Sequence, residues 1–412
     1  MPARLAELLG YTVISGEVPL ATWIPGGVDP HPNAGRPPRG ARVALSRFAY
    51  AHRVGDAMVL ESPAAFGQLR FHDPEAFSVI ARLTRPRRIA ELIKASPLPR
   101  AVTRQFLDLL WRHHFLSTGT DSRAGGDRQN TALEAWEFHD LLFHARSRHG
   151  RHREGYGARP RSAKTQVPDP PFQKPGTSGV ISLPRPDLDR LRQNDVPLTA
   201  VVEDRQTQRR HDGAPLTIGE LGEFLYRTAR ARRRSFGGSV GEGFDRIAPT
   251  GGAAYELDVY LAIRRCRGVR PGLYRYDPRG HALWRRAAMT AAVRGLIASA
   301  GFAARTTPQV LIIVSARFGR TLRRYASMAY AMILKDAGVL FQTFYLVATA
   351  MKLAPCAIGG GDSDDFARAA GTDYYEETSV GEFLLARSSR SKASPRGVPR
   401  PVHGSQPRRR AR

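Results

Sequence analysis

The sequence predicts an α+β protein in which a small winged-helix-like domain precedes a larger domain of helices and strands. Three observations carry that expectation. Strand-like and helical segments do not alternate as βαβ units, which argues against a parallel Rossmann sheet. The 412 residues, 42% of them hydrophobic, suffice for two or three domains with cores of their own. Stretches rich in Pro, Gly and Arg divide the chain. Residues 1–40 are therefore expected as a flexible segment, 41–120 as the winged-helix-like domain, 121–195 as a helix with a linker, 196–386 as the larger domain and 387–412 as a disordered basic tail.

Along the chain, 42–49 and 57–62 read as short strands, and 73–83, 88–93 and 100–114 as helices. The last carries Val102, Phe106, Leu109 and Leu110 on one face, with Phe115 and Leu116 opening a closing strand. In the larger domain, Thr217-Ile218-Gly219-Glu220 is a capping box. The hydroxyl and the carboxylate reciprocally satisfy free amides at a helix start, and Ile218, Leu221 and Leu225 continue at helical spacing. Leu257, Val259, Leu261 and Ile263 alternate as a strand, and 272–276 with 281–284 form a hairpin across Asp277-Pro278-Arg279-Gly280. Residues 310–315 read as a buried strand, 324–352 as a long helix and 382–386 as a late strand. The apolar run 337–351 falls short of the roughly 20 residues that span a bilayer. It is expected as a buried helix, with Gln342 a satisfied core or dimer-interface group.

The 63 Lys and Arg against 37 Asp and Glu leave a formal charge of +26, which favours anionic partners. Eight Arg and one Lys of that surplus sit in the acid-free stretch 387–412, and no basic helix interleaved with aromatics stands out, so nucleic acid is not indicated. The segment 227–234 reads as a solvated helix end. Two cysteines, Cys266 and Cys356, are too few for a disulfide scaffold and read as buried small hydrophobes. Glu7 and Glu17 interrupt the first twenty residues, so no signal peptide is expected, and the chain reads as cytoplasmic and reduced, with no membrane attachment. His139, His144, His149 and His152 lack the companions of a metal site and are expected to pack or face solvent; no metal is expected.

Three motifs carry chemistry. Arg205-Gln206-Thr207-Gln208-Arg209 sets two guanidiniums and a hydroxyl at alternate positions, which share one side of an extended segment. Guanidiniums bind phosphate bidentately and the hydroxyl adds a donor; a solvated basic loop is the alternative. In Pro249-Thr250-Gly251-Gly252-Ala253, small residues let a planar ring approach the backbone while Thr250 offers a hydrogen bond at its edge, the alternative being an ordinary turn. In Cys356-Ala357-Ile358-Gly359-Gly360-Gly361-Asp362, three glycines free backbone amides to point into a site. No strand is expected to lead straight into a helix there, so this is not a Rossmann or P-loop fingerprint.

In this order the segments resemble the nitroreductase-like FMN flavoproteins, and among them the SagB-type peptide (thiazole/oxazole-forming) dehydrogenases. Also similar are Tyr255, Tyr260, Pro271-Gly272-Leu273-Tyr274-Arg275-Tyr276-Asp277, Arg324-Tyr325, Lys335-Asp336-Ala337-Gly338 and, upstream, Leu133 to Asp140 with Leu142-Phe143-His144. The resemblance spans roughly residues 131–386. It implies a central mixed or antiparallel sheet flanked by helices, and FMN at the interface of a homodimer. By position, Arg205, Thr207 and Arg209 would contact the phosphate and pyrimidine end, Thr250, Gly251 and Ala253 would line the flavin, and Gly359 and Gly360 would present backbone to the ring. Thr207 stands where the family usually has serine, which keeps the hydroxyl.

The resemblance further implies oxidation of a peptide azoline to an azole, with residues 41–120 as a peptide clamp and a cyclodehydratase as partner. Azoline-oxidising members resemble one another in a Lys-Tyr pair, where this chain has Arg324-Tyr325. Arginine keeps the positive charge but cannot serve as a base, which leaves Tyr325 as the candidate base beside Arg324. Packing of Tyr325 and Tyr330 on a helix is the alternative. Two further functions stay open: an NAD(P)H-dependent nitroreductase or enone reductase with a small-molecule acceptor, and a basic nucleic-acid-binding module with an inactive flavin fold. The spread of bases over tails and linkers argues against the last.

Overall fold

The computed structural model of the chain describes residues 9–29, 32–33, 35–118, 131–152, 155–158, 179–211, 213–236 and 241–388. The expected tail from 389 onward and residues 159–178 of the expected linker lie outside the described residues. The chain forms two compact units, Met1–Asp169 with Phe318–Ile333, and Pro170–Arg317 with Leu334–Arg412.

The first unit opens with strands β1 (Tyr11–Ser15), β2 (Val18–Pro25), β3 (Arg42–Leu45), β4 (Tyr50–Val54), β5 (Ala57–Glu61) and β6 (Gly67–Phe71). Five of them form an antiparallel sheet in the order β1-β2-β6-β5-β4. Gly16 and Gly55, both at φ 62°, open the two-residue turns of its hairpins, where a left-handed residue suits the strand twist. Helices α1 (Pro74–Ala81), α2 (Ile89–Ala95) and α3 (Arg100–Arg112) follow, with β7 (Arg87–Arg88) and β8 (Leu116–Thr118) flanking β3 in a second sheet. Helix, strand, helix, helix, strand is the order in which a winged-helix module strings its elements. Helix α3 buries Thr103, Phe106, Leu107 and Leu110, a 3.6-residue stripe, and Phe106 and Leu110 share a core with Trp23, Leu69 and Phe115. Helix α4 (Phe138–Arg146) and the short helix Phe318–Leu322 complete the unit.

The second unit is built on a seven-stranded antiparallel sheet in the order β18-β19-β17-β13-β15-β16-β9. Its strands are β9 (Val180–Ser182), β13 (Leu257–Ile263), β15 (Gly272–Asp277), β16 (Ala282–Ala287), β17 (Val310–Arg317), β18 (Leu353–Ile358) and β19 (Glu377–Arg387). Two small ladders join β10 (Leu216–Thr217) to β14 (Cys266–Arg267) and β11 (Ala231–Phe236) to β12 (Gly241–Arg246). Helices are α5 (Leu188–Asn194), α6 (Leu198–Asp204), α7 (Ile218–Ala229), α8 (Ala291–Ala304), α9 (Ala329–Ala350, in this unit from Leu334) and α10 (Ser363–Ala370). Val293, Ile297 and Phe366 of α8 and α10 pack on one sheet face with Ile313, Ile358 and Leu384. Phe344 of α9 meets Phe224 of α7 at 5.4 Å and Phe383 of β19 at 5.2 Å. Each fully buried ring there contributes about 1.5–3 kcal/mol. The Thr217–Glu220 capping box forms as the sequence predicts, with Thr217 N donating to Glu220 at 2.8 Å and Glu220 N donating to Thr217 Oγ1 at 3.2 Å.

Where β15, β13, β17 and β19 lie side by side, charge is buried and paired. The Asp258 carboxylate accepts from Arg275 at 2.7 Å and lies 3.0 Å from Arg317 and 3.7 Å from Arg246. Arg317 also faces Glu377 at 3.6 Å, and Ser315 donates to Glu377 at 2.8 Å. Burial presses the Arg275 pKa down, but Asp258, Tyr260 and Glu377 more than reverse this, and the net direction is upward.

Several expectations need correction. Residues 11–25, expected within a flexible segment, form β1 and β2, and β9 starts the second unit inside the expected linker. The expected strand 42–49 ends at Leu45 as β3, and β4, which belongs to a different sheet, begins only at Tyr50. The long helix begins at Ala329 rather than near 324. A bridge between Gly157 and Ala326, and Ser327 at φ 61°, hold the chain out of helix before that point. The helix is also only partly buried: Leu334, Gly338, Val339 and Gln342 are exposed, so Gln342 is not a core group.

Candidate functional site

The Arg205–Arg209 segment leaves α6 extended, with Arg205 at the helix C-cap at φ −58° and ψ 123°. Gln208 N donates to Pro355 O on β18 at 2.8 Å, and the Gln208 side chain accepts from Ser388 at 2.9 Å, which pins the segment to the sheet edge. The alternate positions then share the other side. Thr207 Oγ1 lies 2.9 Å from the Tyr345 hydroxyl of α9, and the Arg205 guanidinium sits 5.4 Å from the Tyr345 ring centre. The same hydroxyl accepts from Ala357 N of β18 at 2.9 Å. Arg209 is exposed and acts on the buried Cys356, whose pKa burial raises more than Arg209 lowers it. Among the described residues neither Arg205 nor Arg209 has a carboxylate partner.

Strand β18 runs into Gly359-Gly360-Gly361 and then α10, whose first turn is capped by Asp362 accepting from Asp365 N at 2.7 Å. A strand does lead through glycines into a helix here, contrary to the sequence expectation. With Asp362 as cap, however, a side-chain carboxylate already occupies that helix start. A side chain at Gly359 or Gly360 would meet nothing within 4 Å, so both present open backbone. Gly361 differs, because a Cβ there would lie 2.1 Å from the Glu382 carboxyl. Glu382 is buried, and burial raises its pKa more than its hydrogen bond with Ser379 lowers it.

The turn from Thr250 is tied to the same helix. Gly251 N donates to the buried Asp336 of α9 at 2.9 Å, and Thr250 Oγ1 accepts from Tyr255 N at 2.9 Å. Gly252, Ala253 and Tyr255 are all left-handed, at φ 58°, 52° and 48°, and the two non-glycines store strain of order 1–3 kcal/mol each. Thr250 therefore accepts one local hydrogen bond and keeps its hydroxyl proton to donate. Asp336 and Tyr345 stand nine residues apart, about 13 Å along α9, so one helix spaces the two motifs.

Of the expected site residues, the structure brings Arg205 and Thr207 together with β18 around Tyr345, sets Arg209 beside Cys356, and fixes Thr250, Gly251 and Ala253 through Asp336. Arg324 and Tyr325 lie in the turn before α9 and belong to the first unit, where Tyr325 N donates to Thr321 O at 3.0 Å and Ser327 donates to Gly155 O at 3.0 Å. Tyr325 thus does not pack within a helix, whereas Tyr330 does, against Phe143 at 5.9 Å. Cys266 and Cys356 are both buried, and burial with Glu220 pushes the Cys266 thiol up to about 12. Tyr345, Asp336 and Glu382 were not among the expected site residues. Asp336 carried a signal, being an acid next to an apolar helical run; Tyr345 read as one more apolar position.

Arg205 and Arg209, without a carboxylate partner among the described residues, the hydroxyl of Thr207 and the open faces of Gly359 and Gly360 fit the phosphate and planar ring of FMN. Residues 43–153 match the cyanobactin oxidase ThcOx family, and 202–383 match the nitroreductase family. The nitroreductase family match falls largely in the second unit, which has the nitroreductase-like α+β fold. A nitroreductase-like protein of Methanocaldococcus jannaschii is 27% identical over 188 residues, 44% of this chain and 84% of that one. Among solved structures, a nitroreductase-like protein of Ralstonia eutropha is similar at 23% identity and TM-score 0.41, over 57% of this chain and 97% of its own. The Escherichia coli microcin synthetase McbBCD complex, solved with truncated pro-MccB17 bound, matches at 21% identity and TM-score 0.39, over 55% of this chain and 80% of the matched chain.

Proposed function

We propose that the protein is an FMN-dependent dehydrogenase that oxidises an azoline of a modified peptide to an azole. The observation that carries the flavin part is a segment with two arginines lacking a carboxylate partner among the described residues and a threonine hydroxyl, tied to the edge strand β18 that runs on into the open Gly359 and Gly360. The peptide part is supported by the cyanobactin oxidase match over 43–153, which fits a clamp for the substrate's leader. When bound, FMN supplies a two-electron acceptor. Arg205 and Arg209 would hold its phosphate, Thr207 and Thr250 would donate to its polar edge, and Gly359 and Gly360 would present backbone to the ring. Tyr325 takes the proton from the azoline ring carbon, with the Arg324 cation next to it in the chain.

The exposed Leu334 and Val339 on α9 support a homodimer. A cyclodehydratase that forms the azoline is the matching partner, in the cytoplasm. The test is to purify the full chain, measure bound flavin and supply an azoline-containing peptide. A yellow protein that removes two hydrogens per ring is expected, with Tyr325→Phe losing about 10²- to 10⁴-fold in rate while keeping its flavin. A colourless protein that FMN does not reconstitute contradicts the proposal. A second reading, a small-molecule reductase, is favoured by the match that covers 84% of the archaeal protein. It predicts NAD(P)H-driven reduction of a quinone or nitroaromatic with no turnover of the peptide.

A further inference from the structure

Tyr345 touches all three parts of the Arg205–Ala357 corner at once: the Thr207 hydroxyl at 2.9 Å, the Ala357 amide at 2.9 Å and the Arg205 guanidinium over its ring. We infer that Tyr345 is a positioning residue that sets the direction of the Thr207 hydroxyl, so that Thr207 serves the flavin site as a donor to an acceptor atom. This inference rests on the flavin reading above.

A backbone N–H can only donate, so the Ala357 amide places its hydrogen on the Tyr345 oxygen. Among the described residues, the remaining polar neighbour of that oxygen is Thr207 Oγ1. A phenol, with a pKa near 10, is a better donor than an aliphatic hydroxyl, so the Tyr345 proton goes to Thr207 rather than the reverse. Thr207 Oγ1 then accepts from Tyr345 and points its own proton away from it. At that position the free proton of Thr207 suits a carbonyl or phosphate oxygen.

The ring matters separately. It packs edge-on against Phe383 at 5.1 Å and carries Arg205 on its face, and a phenylalanine preserves both contacts. Tyr345→Phe therefore removes the hydroxyl relay with little change in packing. It leaves the Ala357 amide unpaired and Thr207 free to rotate.

The experiment is a double-mutant cycle on FMN affinity, measured on the full apo chain by flavin fluorescence quenching, with Tyr345→Phe, Thr207→Val and the pair. Circular dichroism and thermal melts confirm that each variant folds. Each single change is expected to weaken FMN binding about three- to tenfold, the range of one neutral hydrogen bond. Tyr345→Phe should cost no more than about twofold once Thr207 is already valine, because the relay has nothing left to orient. Thr207→Ser keeps the oxygen and should keep the dependence on Tyr345. Additive losses, with Tyr345→Phe costing as much in the valine background as alone, overturn the relay and leave the flavin reading standing. Failure of the unsubstituted chain to bind FMN overturns both.

Discussion

Two groups of arginines in the second unit use the same side chain to opposite ends. Arg275 and Arg317 lie buried among the central strands, 5% and 3% exposed, and meet the carboxylates of Asp258 and Glu377. Arg205 and Arg209 lie at the sheet edge beside β18 and have no carboxylate partner among the described residues. A buried guanidinium must be paired within the fold, whereas an unpaired one at an edge keeps its hydrogen-bonding capacity for something outside it. The difference teaches where in a chain of +26 charge to look for function: at the cations the fold leaves uncommitted.

The largest effect should come from breaking the buried group. Asp258→Ala leaves three guanidiniums facing the gap, and a loss of about 3–5 kcal/mol in unfolding free energy is expected. Chemical denaturation measures it, and a loss below 1 kcal/mol would erase the distinction between the two groups. Next come the glycines beside the open arginines. Gly361→Ala drives a Cβ into the Glu382 carboxyl and should cost about 1–3 kcal/mol. Gly359→Ala and Gly360→Ala meet open space and should leave the melting temperature unchanged while weakening FMN binding. Equal melts for all three would contradict the geometry.

The smallest expected effect concerns a third, intermediate arginine. Arg387 pairs with Glu220 at 2.7 Å while staying partly exposed. Burial raises the Glu220 pKa, but the Thr217 amide, Arg387 and the Thr217 hydroxyl more than reverse this and hold it below its ordinary 4.5. A carboxylate depressed in the folded state contributes stability that is present above its unfolded pKa and lost as pH falls through the folded one. Stability should therefore drop below about pH 4.5 by roughly 0.5–1 kcal/mol attributable to this group. A pH series of denaturation curves comparing the protein with Glu220→Gln checks it, and the difference should vanish at low pH.

How much of this was legible depended on whether the cause was local. The Thr217–Glu220 capping box, the alternating β13 and the Asp277–Gly280 turn are set by residues within a few positions of one another, and each forms as expected. Strands β2 and β9 were not legible. Ala21 is held by pairing with Phe71 and Ser182 by pairing with Ala282, partners about 50 and 100 positions away. The start of α9 misled because 324–329 has helix-compatible residues, yet Ala326 exchanges backbone hydrogen bonds with Gly157 instead. The site shows the same split. Arg205, Thr207, Gly359 and Gly360 were visible as motifs, but nothing in the sequence marks Tyr345 as their junction, since it depends on α9 packing across the sheet edge.

The central claim is that the uncommitted arginines hold a flavin phosphate. The most direct measurement is a titration of the full apo chain with FMN, alongside the double variant Arg205→Ala, Arg209→Ala. Each lost charged hydrogen bond is expected to cost about 1.5–3 kcal/mol, so the double variant should bind FMN at least about a hundredfold more weakly. Its melting temperature without flavin should match that of the unsubstituted chain. Unchanged FMN affinity in the double variant, or an unsubstituted chain that takes up no FMN, would contradict the account.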